Sequence, residues 1–229
     1  QARIGRSRML VIGAGGLGSP AAYYLASAGV GRITLVDGDS VDLTNLQRQI
    51  LHTTERIGQP KAESGRLALA AINPEVEVVA RVQRADAAQL RALVAEHDVV
   101  LDCSDNFATR HAVNRACVEQ RRPLVSGAAI RFDGQAAVFD LRRPDSACYH
   151  CLFPEGEDIE EVRCAVMGVF APIVGIIGTM QAAEALKLLS GMGSQLVGRL
   201  LMLDGRSMAF TDIRLGRQPG CVVCGGVPT

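Results

Sequence analysis

The sequence predicts an α/β fold: a single domain over residues 1–229, built on a mixed sheet that is parallel at one end and antiparallel in its C-terminal strands, with helices on both faces. Three observations predict it. Short apolar runs alternate with helical stretches through the first half of the chain, at Met9 to Ile12, Ile33 to Val36, Val76 to Val82, Val99 to Leu101 and Leu124 to Ser126. Runs of this kind suit strands buried on both faces of a parallel sheet. After Gly127 the pattern changes to a strand from Gln135 to Leu141 and a hairpin formed by Leu200 to Leu203 and Met208 to Arg214 around Asp204-Gly205-Arg206, which suits antiparallel pairing. Finally, Gly13-Ala14-Gly15-Gly16-Leu17-Gly18 joins the first strand to the first helix and matches G-x-G-x-x-G, the turn of a Rossmann-like unit.

In that turn Gly13 allows the sharp bend, Gly15 lets the backbone approach a phosphate and Gly18 permits close packing of helix on strand. Ser19 is expected to cap the first helix, with Pro20 at its first position and Gly29 beyond its end. The helix N-terminus, with free N–H groups and the positive end of the dipole, then faces an anion. The second strand delivers Asp37 about 20 residues past the turn, where a carboxylate grips a ribose hydroxyl. Pro60 is expected at the first position of a helix running to Ile72 and ended by Asn73-Pro74, and Asp86 caps a short helix through Ala95. The strand at Val99 to Leu101 ends in Asp102-Cys103-Ser104-Asp105-Asn106, and a helix follows from Asn106 to about Gln120. The carboxyl ends of such strands are where open α/β sheets bind ligands.

Composition narrows the function classes. Hydrophobic residues make up 48% of the 229, enough for a substantial core, and only 4% are aromatic, which argues against a base-stacking nucleic-acid platform. Lys+Arg and Asp+Glu both number 24, so no global charge points to nucleic acid or an anionic membrane. Cys164 to Ala183 is uncharged and long enough to span a bilayer. Gly168, Pro172, Gly175, Gly178 and Gln181 interrupt it, however, and Glu184 and Lys187 continue its helical pattern, so a core or interface helix starting near Pro172 is expected. No signal peptide is evident, and a cytoplasmic protein is expected.

The glycine turn and Asp37 alone suit a dinucleotide. Downstream, Asp39, Asn45, Arg48 and Lys61 supply polar and cationic groups for which a triphosphate with magnesium has a use and a nicotinamide does not. Seven cysteines in a reducing compartment argue against a disulfide framework. Cys148-Tyr149-His150-Cys151 and Cys221-Val222-Val223-Cys224 form two C-x-x-C units, which suit tetrahedral Zn²⁺ provided that the fold brings them together. Cys164, beside Arg163 and after the acidic loop Glu155 to Glu161, is a candidate nucleophile because a neighbouring cation favours thiolate. Cys103 and Cys117 fall in core patterns. His52, His97, His111 and His150 show no ligand spacing, and only His150 lies near the cysteines.

Asn45-Leu46-Gln47-Arg48-Gln49, with the glycine turn, Ala28-Gly29-Val30-Gly31 and Asp37-Gly38-Asp39, resembles the ThiF/MoeB/HesA family, relatives of the ubiquitin-activating enzymes, from about Arg8 to Gly226. The resemblance implies an ATP-dependent adenylyltransferase that activates the C-terminal glycine of a ubiquitin-like sulfur-carrier protein, working as a homodimer with ATP and Mg²⁺. It assigns catalysis to Arg48, Lys61 and the Mg²⁺ ligand Asp105, adds Gly16, Asp37, Asn45 and Asn106 as ATP contacts, and implies a sulfur-transfer or thioester role for Cys164. Family members also carry an N-terminal arm whose arginine reaches the partner's ATP site. Arg3, Arg6 and Arg8 match no such motif, so either that arm is missing from this sequence or the active site is completed differently. Two other classes fit parts of the pattern: an NAD(P)-dependent oxidoreductase, and a non-catalytic scaffold that holds a ubiquitin-like tail.

Overall fold

A computed structural model describes residues 1–156 and 168–225. Eight strands form one sheet in the order β3-β2-β1-β4-β5-β6-β7-β8, with β1 at Arg8–Ile12, β2 at Arg32–Val36, β3 at Glu77–Arg81, β4 at Val99–Asp102, β5 at Leu124–Ile130, β6 at Asp133–Phe139, β7 at Arg199–Asp204 and β8 at Ala209–Arg214. The strands from β1 to β5 pair in parallel and those from β5 to β8 antiparallel. The mixed sheet expected from the sequence is therefore the one observed, and β5 extends four residues beyond the expected Ser126 because β6 pairs along its full length.

The helices are α1 (Gly18–Ser27), α2 (Lys61–Ile72), α3 (Ala87–Ala95), α4 (Phe107–Glu119), the single turn α5 (Tyr149–Leu152) and α6 (Ala171–Ser190). They cover both faces, and strand alternation sorts the core between them. Met9, Val11, Ile33, Leu35, Leu101 and Val125 pack with α1, α2 and α6 on one face. Leu10, Ile12, Val36, Val100, Leu124 and Phe139 pack with α3, α4 and Tyr149 on the other. Thr34 points to that second face from the middle of β2 and is satisfied there by His97 Nε2 at 2.8 Å.

Helix α6 is long and apolar enough by composition to cross a bilayer, yet half of its most apolar window is buried in this fold. Ile173, Val174 and Ile177 enter the core, and an added Cβ at Gly178 would lie 2.3 Å from the Leu17 carbonyl of the glycine turn. Gln181, fully buried, donates through Nε2 to the carbonyls of Asp102 (2.8 Å) and Val125 (3.3 Å). The helix ends at Gly191, φ 86°.

Two expected caps differ. Helix α1 begins at Gly18, one residue before Ser19, because Leu17 is already helical at φ −78°, ψ −46°. Ser19 is therefore buried inside the first turn with its Oγ unpartnered, and Pro20 occupies the third position, where its missing N–H still costs no intrahelical bond. Pro60 stands at the cap of α2, and Lys61 takes the first helical position. The cap at Asp86 is as expected and forms a full capping box with Gln89, and Asn106, expected as the start of a helix and as an ATP contact, is the cap of α4. Cys164, Arg163 and most of the acidic loop lie outside the described residues.

Candidate functional site

The order of the parallel strands reverses between β1 and β4, so the chain leaves these neighbours toward opposite faces and a crevice opens beyond their carboxyl ends. A cleft of about 650 Å³ lies there, lined by Gly13, Gly15, Gly16, Asp37, Arg48, Lys61, Asp105 and Asn106 among others. Of the residues predicted to bind nucleotide, Gly18 and Asn45 do not line it. Gly18 acts from behind: a Cβ there would meet the Gly13 carbonyl at 2.0 Å, so it is the residue that lets the turn close on α1. Gly13 takes φ 97°, a region L side chains rarely adopt. Asn45 holds the segment that carries Arg48, accepting from Gln49 Nε2 at 3.0 Å and donating to Thr44 Oγ1 at 3.1 Å.

Asp37 braces the glycine turn. Its Oδ2 accepts the Ala14 N–H at 2.8 Å and its Oδ1 the Asp39 N–H at 2.8 Å, and burial pushes its carboxyl above the ordinary value. The Ala14 carbonyl is fixed in turn by His52 Nε2 at 2.8 Å, whose Nδ1 meets Ser64 Oγ at 2.9 Å. The Gly15 and Gly16 N–H groups donate to no group among the described residues, as an anion cradle requires.

The charges are arranged as alternating pairs. Lys61, only 6% exposed, places Nζ 3.3 Å from Asp39 Oδ2, and Arg84 Nη2 donates to Asp39 Oδ1 at 2.8 Å. Arg84 and Lys61 together hold Asp39 below the ordinary carboxylate range. Among the described residues Arg48 makes only a long contact to the Thr44 carbonyl, 3.4 Å, leaving its guanidinium available to the cleft. Asp105 is exposed at the carboxyl end of β4. Asn106 lines the cleft but spends its Oδ1 capping α4 through the Thr109 N–H at 2.8 Å.

Sequence reasoning missed three residues of this cleft. Arg84 follows β3 and joins only because β3 lies beside β2. Gln49 is buried with its Oε1 unpartnered. Arg110, buried on α4, donates to the Ser104 carbonyl at 2.6 Å. Arg84 and Arg110 sit in no motif, whereas Gln49 closes the Asn45-Leu46-Gln47-Arg48-Gln49 stretch without having been given a role.

Some 70 residues apart in sequence, the two C-x-x-C units meet. Sγ separations are 3.9 Å for Cys148 to Cys151, 3.8 Å for Cys148 to Cys221 and 3.5 Å for Cys151 to Cys224. Disulfide sulfurs lie about 2.05 Å apart, whereas four sulfurs at about 2.3 Å from one tetrahedral Zn²⁺ are roughly 3.8 Å from each other. The donor set thus fits zinc. Val118 and Leu141 pack around it, and Asn114 Nδ2 donates to Cys148 Sγ at 3.7 Å. Cys103 and Cys117 are buried core residues, with their thiols pushed up by burial.

The ThiF family model matches residues 1–223. The chain is 49% identical to the molybdopterin-synthase adenylyltransferase of Escherichia coli K12 over 96% of its own length and 87% of that protein. To the sulfur carrier protein ThiS adenylyltransferase of the same organism it is 48% identical, covering 96% of the chain and 86% of the relative. Among solved structures, Escherichia coli MccB crystallised with ATP superposes with a TM-score of 0.85 at 23% identity, covering 98% of this chain and 69% of that one, a likeness of fold. With its glycine turn, its mixed eight-stranded sheet and these relatives, the chain belongs to the ThiF family.

Proposed function

We infer that the protein is an adenylyltransferase that uses ATP to activate the C-terminal carboxylate of a small sulfur-carrier protein. The observation that carries this is the convergence of Arg48, Lys61 and Asp105 on one cleft with the free N–H groups of the glycine turn. A carboxylate oxygen of the carrier attacks the α-phosphorus, the bond to the β-phosphate bridging oxygen breaks, and pyrophosphate leaves as an acyl-adenylate forms. Little covalent work falls to the protein, which positions the reactants and stabilises charge. Gly15 and Gly16 hold phosphate oxygens through their N–H groups, Asp37 receives the ribose, and Arg48 and Lys61 balance charge as it moves onto the leaving pyrophosphate. Lys61 is preorganised by Asp39, so its ammonium sits in place before ATP arrives. Asp105 would hold Mg²⁺, an ion that supplies charge neutralisation on the phosphates.

Nicotinamide chemistry is not favoured: Arg48 and Lys61 give the cleft two cations that a triphosphate has a use for, and the named relatives are adenylyltransferases. The near-equal identities to a molybdopterin-synthase and a ThiS adenylyltransferase make both carriers the ones to assay. Pyrophosphate release measured with each tests the function. Release with neither would overturn it.

The four cysteines are a structural zinc centre in this reading, tying the segment after β6 to the C-terminal segment. Tyr24 on α1 and Leu43, Ile50 and Ile57 in the segment between β2 and α2 are exposed apolar residues, and they suit a homodimer contact. The protein is assigned to the cytoplasm, where thiols stay reduced for zinc.

A further inference from the structure

The four histidines separate into two kinds. His52 and His97 are buried with both ring nitrogens hydrogen-bonded, to Ser64 and Ala14 in one case and to Leu93 and Thr34 in the other. His111 on α4 and His150 on α5 are 4% and 9% exposed, and the Nδ1 of each is buried with no partner among the described residues. Their rings lie 5.7 Å apart at 69°, and His111 also packs edge-on against Tyr149. The Glu155 carboxylate joins them: its Oε1 is 4.0 Å from His111 Nδ1, and the three residues place one ligand atom each within 4.8 Å of one another. An unsatisfied buried polar atom costs about 1–3 kcal/mol, so two of them on neighbouring rings, one 4.0 Å from a carboxylate, call for a partner. Burial also holds His111 below the ordinary imidazole range, which keeps a ring lone pair open at neutral pH.

We propose that His111, His150 and Glu155 form a second metal site, separate from the four cysteines, for a divalent transition cation of the zinc class. Two imidazoles and a carboxylate are the ligand types such a borderline cation takes, and three protein ligands leave a fourth position for water. Ligand atoms about 2.0–2.1 Å from a tetrahedral ion sit roughly 3.4 Å apart. The three side chains therefore close by roughly 1 Å, and the movement falls to Glu155, whose side chain is 40% exposed. One group opposes binding. Arg115 Nη1 donates to Glu155 Oε1 at 3.0 Å and Nη2 contacts Oε2, so the cation must take the carboxylate from a guanidinium. Occupied, the site joins α4 and α5 to the chain at Glu155.

The test titrates the full chain with Co²⁺ alone after its cysteines have been loaded with zinc, and follows the cobalt spectrum. One further equivalent is expected, showing nitrogen and oxygen ligation without thiolate-to-metal charge transfer. Glu155→Gln, a partly exposed change that spares the fold, and His111→Gln should each weaken it by roughly 10-fold or more, a loss that even outer-shell changes produce at metal sites. Arg115→Gln should act in the opposite direction and tighten it. The readout is ligand class, so Cys148→Ser protein should still take this equivalent, whatever becomes of the cysteine centre. Absence of the equivalent, thiolate charge transfer within it, or binding unchanged in both Glu155→Gln and His111→Gln would overturn the site.

Discussion

The cleft at the carboxyl ends of β1 and β4 and the cysteine cluster beside α4 are built on opposite plans. In the cleft the charges stay solvated or loosely paired: Arg84 is 85% and Asp39 47% exposed in their ion pair, and Arg48 has one long contact. In the cluster Cys148 and Cys224 are fully buried, Cys221 nearly so, and all four sulfurs face one another. Open charges suit a site that must bind and release an anion at each turnover, whereas closed thiols suit an ion that never leaves. The difference predicts that substitutions in the two regions fail in different measurements.

The largest effect is expected on stability. Cys221→Ser should lower bound zinc and the melting temperature sharply, because a structural zinc contributes its binding free energy to folding. ATP binding measured below the new transition should be retained. Loss of ATP binding with zinc content intact would break the division. Next, Lys61→Ala should reduce pyrophosphate exchange on the order of 10²-fold, as removal of one preorganised charge-stabilising group does. Its melting temperature should stay near that of the parent. A smaller effect is expected of Arg84→Ala: it lines the cleft from an exposed position, and its ion pair with Asp39 is screened by solvent. KM for ATP should rise several-fold at roughly constant kcat, and an equal fall in kcat would instead put Arg84 in contact with the transition state.

The smallest effect concerns pH. Burial holds the pKa of His52 and of His97 below the ordinary 6.5. The unfolded chain therefore binds these protons first, and the stability they contribute is complete above about pH 6.5 and lost as pH falls through their folded values. Melting temperature should decline from pH 7 toward pH 5, and His52→Gln should make that slope shallower. An unchanged slope would remove His52 from the account of the glycine turn.

What was legible in the sequence depended on the range of the interaction. Gly13 and Asp86 act on residues close by in the sequence, and their local patterns named their tasks. Ser19 missed by two positions and Pro60 by one, because the backbone, helical already at Leu17 and extended at Pro60, decides where a helix begins. The meeting of the two C-x-x-C units was legible through ligand chemistry alone, since no local spacing spans it. Arg84 and Gln181 were invisible for a different reason: each is placed by the packing of separate elements, and a polar residue in a loop or an apolar helix carries no sign of that. The same holds for His111 and His150, whose proximity depends on α5 lying against α4.

Carrier-dependent exchange of pyrophosphate into ATP is the most direct test of the central claim. The account predicts exchange with a small sulfur-carrier protein that ends in a free glycine carboxylate, none without it, and a loss on the order of 10²-fold in Arg48→Ala and in Asp105→Ala, with the fold unchanged. Full exchange in both variants, or reduction of a nicotinamide cofactor by a protein indifferent to ATP, would contradict it.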